Sequence, residues 1–139
     1  MTEQVLLCVE DEDAAVFLLE TALREAQIQV RLHRVSNGEE ALAFLNKTAS
    51  YSHAPRPDLI LLDLNLPRKS GLEVLSDMQG SESLRSVAVV VFTSSFLASD
   101  KRKCFALGAK DFITKPSSFD GFVEAIKTAC SYLPNNNNR

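Results

Sequence analysis

Short apolar runs alternate along this chain with longer stretches of helical periodicity, and two of the runs stop on acids. Val5-Leu6-Leu7-Cys8-Val9 leads into Glu10 and Asp11, and Leu59-Ile60-Leu61-Leu62 leads into Asp63. Runs this apolar have no polar face, so they suit strands covered on both sides, as in parallel sheets. Between the first two strands, residues 13–27 carry Ala15, Leu18, Leu19, Ala22, Leu23 and Ala26, a helical stripe. Val30–Val35 alternates apolar and polar residues, the pattern of a half-exposed edge strand. Ser36-Asn37-Gly38-Glu39 supplies a turn and a capping box, Ser36 with Glu39, before Ala41, Leu42, Phe44 and Leu45. Residues 46–57 lack periodicity and read as an exposed loop. Ser70 and Glu73 form a second capping box, opening a helix with Leu72, Leu75 and Met78. Val87–Phe92 is a further buried strand, residues 98–107 a weak helix ended by Gly108, and Ala109–Ile113 a last strand. The closing helix carries Phe119, Phe122, Val123, Ile126, Ala129 and Leu133 at i, i+3, i+4 spacing.

Strict alternation of strand and helix specifies parallel βαβ units. The expected architecture is α/β, a three-layer (βα)5 doubly wound parallel sheet of the flavodoxin-like kind, in strand order 2-1-3-4-5. A length of 139 residues fits one domain. It is expected over residues 1–134, with a disordered polar tail at 135–139 after Pro134. A net charge of −3 argues against a nucleic-acid-binding surface. No stretch approaches the roughly 20 apolar residues of a membrane span. Met1-Thr2-Glu3-Gln4 lacks the basic start of a secretory signal, so cytoplasmic residence is expected. Cys8, Cys104 and Cys130 have no paired spacing and read as reduced, mostly buried thiols. His33 and His53 read as surface histidines.

In the 2-1-3-4-5 order, a crevice opens at the carboxyl ends of strands one and three. Glu10 and Asp11 end the first of these and Asp63 the second; Thr93 follows strand four and Lys115 follows strand five. Each has an innocent use as a strand-end cap or solvated side chain, but together they gather at one mouth. Carboxylates about 5 Å apart at an effective dielectric of about 20 repel by roughly 3 kcal/mol per pair, so the site calls for a cation or a shared proton. Hard oxygen donors favour Mg²⁺. Asp11 and Asp63 are its expected direct ligands, with Glu10 through water and the backbone carbonyl of Asn65. A metal, a lysine and a hydroxyl around a further carboxylate make a phosphoryl-handling site, with Asp63 as nucleophile. There is no Gly-x4-Gly-Lys-Ser/Thr loop, so this is not a P-loop NTPase.

Val9-Glu10-Asp11-Glu12, Asp58-Leu59-Ile60-Leu61-Leu62-Asp63-Leu64-Asn65-Leu66-Pro67 with Gly71, Thr93-Ser94, and Gly108-Ala109-Lys110-Asp111-Phe112-Ile113-Thr114-Lys115-Pro116 together resemble the receiver domain of two-component response regulators. The resemblance covers roughly residues 4–133. Asp-Leu-Asn-Leu-Pro and the long loop with Pro55-Arg56-Pro57 look most like stand-alone regulators partnered with bacteriophytochrome-type kinases. The resemblance implies Mg²⁺-dependent phosphotransfer from a phosphohistidine of a sensor histidine kinase or phosphotransfer protein to Asp63. It also implies a switch in which Thr93 moves toward the phosphoryl group and an aromatic residue, here Phe112, swings inward. The family often shows a cis bond at the position of Lys115-Pro116. Phe112 lacks a tyrosine's hydroxyl, Ser94 stands where alanine or glycine is common, and Glu10 replaces the commoner aspartate. Output would leave through helix four, strand five and helix five toward a downstream protein. There Lys101, Arg102 and Lys103 form either a solvated face, a contact for an acidic partner, or a symmetric homodimer seam.

Three rivals are told apart by specific features. A haloacid-dehalogenase-type phosphohydrolase needs a second acid two residues after its nucleophile, where this chain has Asn65. An adaptor that is never phosphorylated would show partner affinity indifferent to phosphorylation. An FMN carrier would want aromatic loops around the mouth, and the chain has no Trp.

Overall fold

The computed structural model describes residues 3–134; the expected polar tail, 135–139, lies outside the described residues. Five strands alternate with five helices: β1 (Val5–Val9), α1 (Asp13–Glu25), β2 (Arg31–Val35), α2 (Gly38–Asn46), β3 (Leu59–Leu62), α3 (Gly71–Gln79), β4 (Ala88–Thr93), α4 (Ala98–Ala106), β5 (Asp111–Thr114) and α5 (Phe119–Cys130). All pairings are parallel, in the order β2-β1-β3-β4-β5. The expected fold class is the observed one.

Period-2 alternation splits each central strand between two cores. Leu7, Val9, Ile60, Leu62, Val89 and Val91 face one side, against α2, α3 and α4. Leu6, Cys8, Leu59, Leu61, Val90 and Phe92 face the other, against α1 and α5. Every residue of β1 and β3 is buried, which is why those strands lack a polar face. β2, at the edge, is half-exposed as expected. The register pairs Val9 with both Val35 and Leu62, and Leu62 with Val91, so the carboxyl ends of the strands form one rim.

Helix starts follow local chemistry, with one correction. The Ser70 box is present: the Glu73 amide donates to Ser70 Oγ at 3.2 Å, and the Ser70 amide donates to Glu73 Oε1 at 2.9 Å. Ser70→Ala should therefore cost about 1 kcal/mol, read as a lower urea midpoint at unchanged m. The box expected at Ser36 and Glu39 sits one residue later. Asn37 Oδ1 accepts from the Glu40 amide at 2.8 Å, and Glu40 Oε1 accepts from the Ser36 amide at 2.8 Å. Asn is at least as good a cap as Ser. The helix also begins at Gly38, whose bare Cα abuts the Lys69 backbone, where a Cβ would overlap the carbonyl oxygen.

The segment 46–57 is more ordered than an exposed loop. Ala49–Tyr51 forms a 3₁₀ turn, and the Tyr51 ring packs 5.5 Å from Phe44. His33 also meets Phe44 edge-on, with ring centroids 5.5 Å apart, and is partly covered; His53 is exposed. All three cysteines are free and buried, and burial pushes Cys8 and Cys130 up to about 12 and Cys104 to about 11. These thiols remain protonated and unreactive at neutral pH.

Candidate functional site at the carboxyl edge of the sheet

The rim is assembled by the strand ladder itself. Continuing past β1, the Glu10 amide donates to the Val35 carbonyl at 3.1 Å, and past β3 the Asp63 amide donates to the Val9 carbonyl at 3.2 Å. The Lys115 amide donates to the Thr93 carbonyl at 2.7 Å. Backbone bonds thus fix three of the site residues before any side chain contributes.

The side chains then meet around one ammonium. Lys115 Nζ donates to Glu10 Oε1 at 2.7 Å and to Asp63 Oδ2 at 3.3 Å. Both carboxylates are nearly enclosed, Glu10 at 5% and Asp63 at 8% exposure. The lysine stem reaches them across Phe92, with Nζ 5.9 Å from the ring centroid, and Phe92 is braced edge-on by Phe122 at 5.2 Å. Burial raises the Glu10 pKa above its ordinary value, against the hydrogen bond and charge of Lys115. For Lys115, burial opposes the charged form, but the hydrogen bond to Glu10 and the fields of Asp63 and Glu10 outweigh it and raise its pKa. Lys115 is therefore a permanent cation at neutral pH.

The remaining expected residues divide. Thr93 is fully buried as the last residue of β4 rather than the first after it, and its Oγ1 accepts from the Ser95 amide at 3.3 Å. Phe112 is buried, its ring turned inward. Asn65 is close to Asp63, its amide donating to Asp63 Oδ1 at 3.3 Å, and no described hydrogen bond ends on its carbonyl. Asp11 is not drawn in: it is exposed. Among the described residues no three His, Cys, Asp or Glu side chains stand grouped as a metal cage. Lys115 bridges the two buried acids, while the Asp11 side chain stands in water. The Lys115-Pro116 bond is a further correction. No described peptide bond is cis, so this one follows the ordinary trans preference of X-Pro bonds.

Sequence reasoning missed Arg34, Ser95 and Asp100. Arg34 Nε donates to the Glu10 carbonyl at 2.9 Å and its Nη1 to Asp13 Oδ1 at 2.8 Å, clamping the turn after β1. Within the edge strand Arg34 was one more outward polar residue, with nothing in its spacing to mark it. Ser95 Oγ donates to Asp100 Oδ2 at 2.6 Å, a pairing across a helix start that has no periodic signature.

The donor set is one of hard oxygens only. Glu10, Asp63 and Asp11 bring three negative charges to the rim against the one of Lys115, with the Asn65 carbonyl adjacent. That composition fits a divalent cation of the Mg²⁺ or Mn²⁺ kind.

Strand order and the meeting of acids, hydroxyl and lysine at the carboxyl edge define a doubly wound α/β domain with an acidic pocket at its topological switch point. The chain belongs to the response regulator receiver domain family, whose model matches residues 6–127. Response regulator Rcp1 of Synechocystis sp. is 38% identical over 124 residues, covering 89% of this chain and 84% of that protein. The crystal structure of the Mn(2+)-bound form of Rcp1 superposes with a TM-score of 0.87 at 33% identity, covering 98% of this chain and 99% of the other. That of the phosphorylated cyanobacterial phytochrome response regulator RcpA gives a TM-score of 0.89 at 31% identity, covering 99% and 98%.

Proposed function

We propose that this protein is a phosphoacceptor switch that takes a phosphoryl group onto Asp63 from the phosphohistidine of a sensor histidine kinase or phosphotransfer protein. The observation that carries the reading is the Lys115 ammonium shared by two buried carboxylates, Glu10 at 2.7 Å and Asp63 at 3.3 Å. An Asp63 oxygen attacks phosphorus, the P–N bond breaks, and the departing imidazole keeps the electron pair and takes up a proton. Lys115 neutralises charge on the phosphoryl oxygens, and the Thr93 hydroxyl donates to one of them once it turns toward Asp63. A divalent cation, Mg²⁺ by its hard-donor preference, would be held by Asp11, Asp63 and the Asn65 carbonyl, with Glu10 through water, and would supply further charge neutralisation.

The chain assists its own phosphorylation and dephosphorylation but turns over no separate substrate. The added charge of about −1.5 to −2 acts on Thr93 and Lys115 and so biases the loop into α4, altering the face of α4, β5 and α5. Phe112, already inward, serves as the aromatic member of the switch. That face would engage a downstream protein or a second copy of the chain, in a cytoplasmic regulator whose residues 1–134 make up one receiver domain. Among the described residues no helix is long and apolar enough to cross a membrane. The phytochrome regulators among its relatives favour a phytochrome-type kinase as the donor.

The test is transfer from autophosphorylated kinases of the source organism. The label should leave a phytochrome-type kinase and appear on this chain within seconds to minutes when Mg²⁺ is present. EDTA should stop the transfer. Label that never leaves any kinase, or moves equally well in EDTA, contradicts the reading.

A further inference from the structure

The loop from β4 into α4 has almost no apolar anchorage. Phe96 is 82% exposed and Leu97 55%, and Cys104 is the one buried residue of α4. Leu97, at the N-cap of α4, supplies no side-chain cap. Hydrophobic burial therefore does not decide where this loop sits, and polar contacts must.

Those contacts converge on one residue. Ser95 Oγ donates to Asp100 Oδ2 at 2.6 Å and accepts from the Leu97 amide at 3.2 Å. The Ser95 carbonyl accepts from Thr114 Oγ1 on β5 at 2.8 Å, and the Ser95 amide donates to Thr93 Oγ1 at 3.3 Å. Both donors of this serine, hydroxyl and amide, and both its acceptor oxygens are thus committed to α4, to β5 and to the hydroxyl at the end of β4. The bond to Asp100 is charge-assisted, the stronger class of hydrogen bond.

We propose that Ser95, Asp100 and Thr114 form a latch that holds the β4–α4 loop in its resting arrangement and so sets how readily Thr93 engages a phosphorylated Asp63. The latch rests on the phosphoacceptor reading and deepens it. Ser95 is a positioning residue: it touches neither Asp63 nor Lys115 in any described hydrogen bond, and it acts through Thr93 and the first turn of α4. The bonds to Asp100 and Thr114 hold the loop in the arrangement seen here. Loosening the latch therefore leaves less to overcome when Thr93 turns, and the switched state is more easily populated.

Beryllium fluoride with Mg²⁺, a stable stand-in for an acyl phosphate, reads the switched state without turnover. Its affinity is followed by fluorine NMR on the intact protein. Ser95→Ala should bind it about tenfold more tightly than the wild type, and Asp100→Asn, which keeps a neutral acceptor, about threefold. Ser95→Thr, which restores the hydroxyl, should return the wild-type value. Melting temperatures of all variants are measured alongside, because a merely structural serine would lower stability and leave the affinity unmoved. Wild-type binding with unchanged or weaker affinity in Ser95→Ala overturns the latch while leaving the phosphoacceptor reading intact. A wild type that neither binds beryllium fluoride nor accepts a phosphoryl group overturns both.

Discussion

Lys115→Met should lose about 3–5 kcal/mol of stability at pH 7.5, the usual cost of removing one partner from a buried ion pair. The side chains involved are 16%, 6% and 9% exposed for Lys115, Glu10 and Asp63, so solvent screening is slight and the buried-pair cost applies. The loss should depend on pH in a defined direction. Burial already raises the Glu10 pKa above its ordinary 4.5, and Lys115 works against that rise. Without the ammonium the folded-state value climbs further. A raised value contributes stability that is complete below 4.5 and is lost as pH climbs through the folded-state value. The gap between variant and wild type should therefore be narrow near pH 4.5 and widen toward neutrality. In the wild type, Lys115 contributes stability that is complete below its ordinary 10.5 and disappears above its raised value. Urea unfolding across this range checks both limbs. A gap that stays constant with pH would show that Lys115 stabilises by packing alone. At pH 7.5, saturating Mg²⁺ should recover part of the variant's loss, because a ligand that binds only the folded state stabilises it by mass action.

Gly71→Ala should damage stability and chemistry together. A Cβ at this position overlaps the Asp63 carbonyl oxygen and stands 2.8 Å from Leu64 Cα. The Gly71 amide also donates to the Leu64 carbonyl at 3.1 Å, so α3 starts in contact with the main chain that carries Asp63. Backbone cannot rotate aside as a side-chain tip can. Overpacking of this kind costs about 1–3 kcal/mol, and the higher figure is expected here. One relief is to shift the Asp63 backbone, and with it the carboxylate that meets Lys115. A misplacement on the order of 1 Å costs about a hundredfold in rate, so phosphorylation by a small phosphodonor should slow by that order. Phosphorylation kinetics and urea midpoints, measured on one preparation, check the pair. A variant destabilised but phosphorylated at the wild-type rate would mean that α3 absorbs the displacement and Asp63 stays put.

Much of the molecule could be read from residue order, and the exceptions have local causes. β1 and β3 begin and end where expected because an unbroken apolar run meets a charge at each carboxyl end. β5 was expected over Ala109–Ile113 but pairs over Asp111–Thr114. The chain needs Gly108 at φ 95° and two further residues to leave α4 and reach the sheet. The closing turn of α1 stops at Glu25 although the apolar stripe runs on to Ala26, because Gln27 adopts φ 58° and turns the chain. At the site, Glu10, Asp63 and Lys115 converge as strand ends must once the strand order is known. Asp11 does not join them, since strand-end position brings a residue to the rim without deciding whether its side chain faces pocket or water. The ties of Ser95 to Asp100 and Thr114 were invisible for a related reason: they depend on a loop conformation that no periodicity encodes.

Asp63 is expected to be the single acceptor of a phosphoryl group in a cation-dependent reaction. Intact-mass spectrometry after incubation with acetyl phosphate and Mg²⁺ addresses this directly. Wild-type protein should gain the mass of one phosphoryl group, and Asp63→Asn or chelated samples should gain none. An unchanged wild-type mass, or an equal gain in Asp63→Asn, would contradict it.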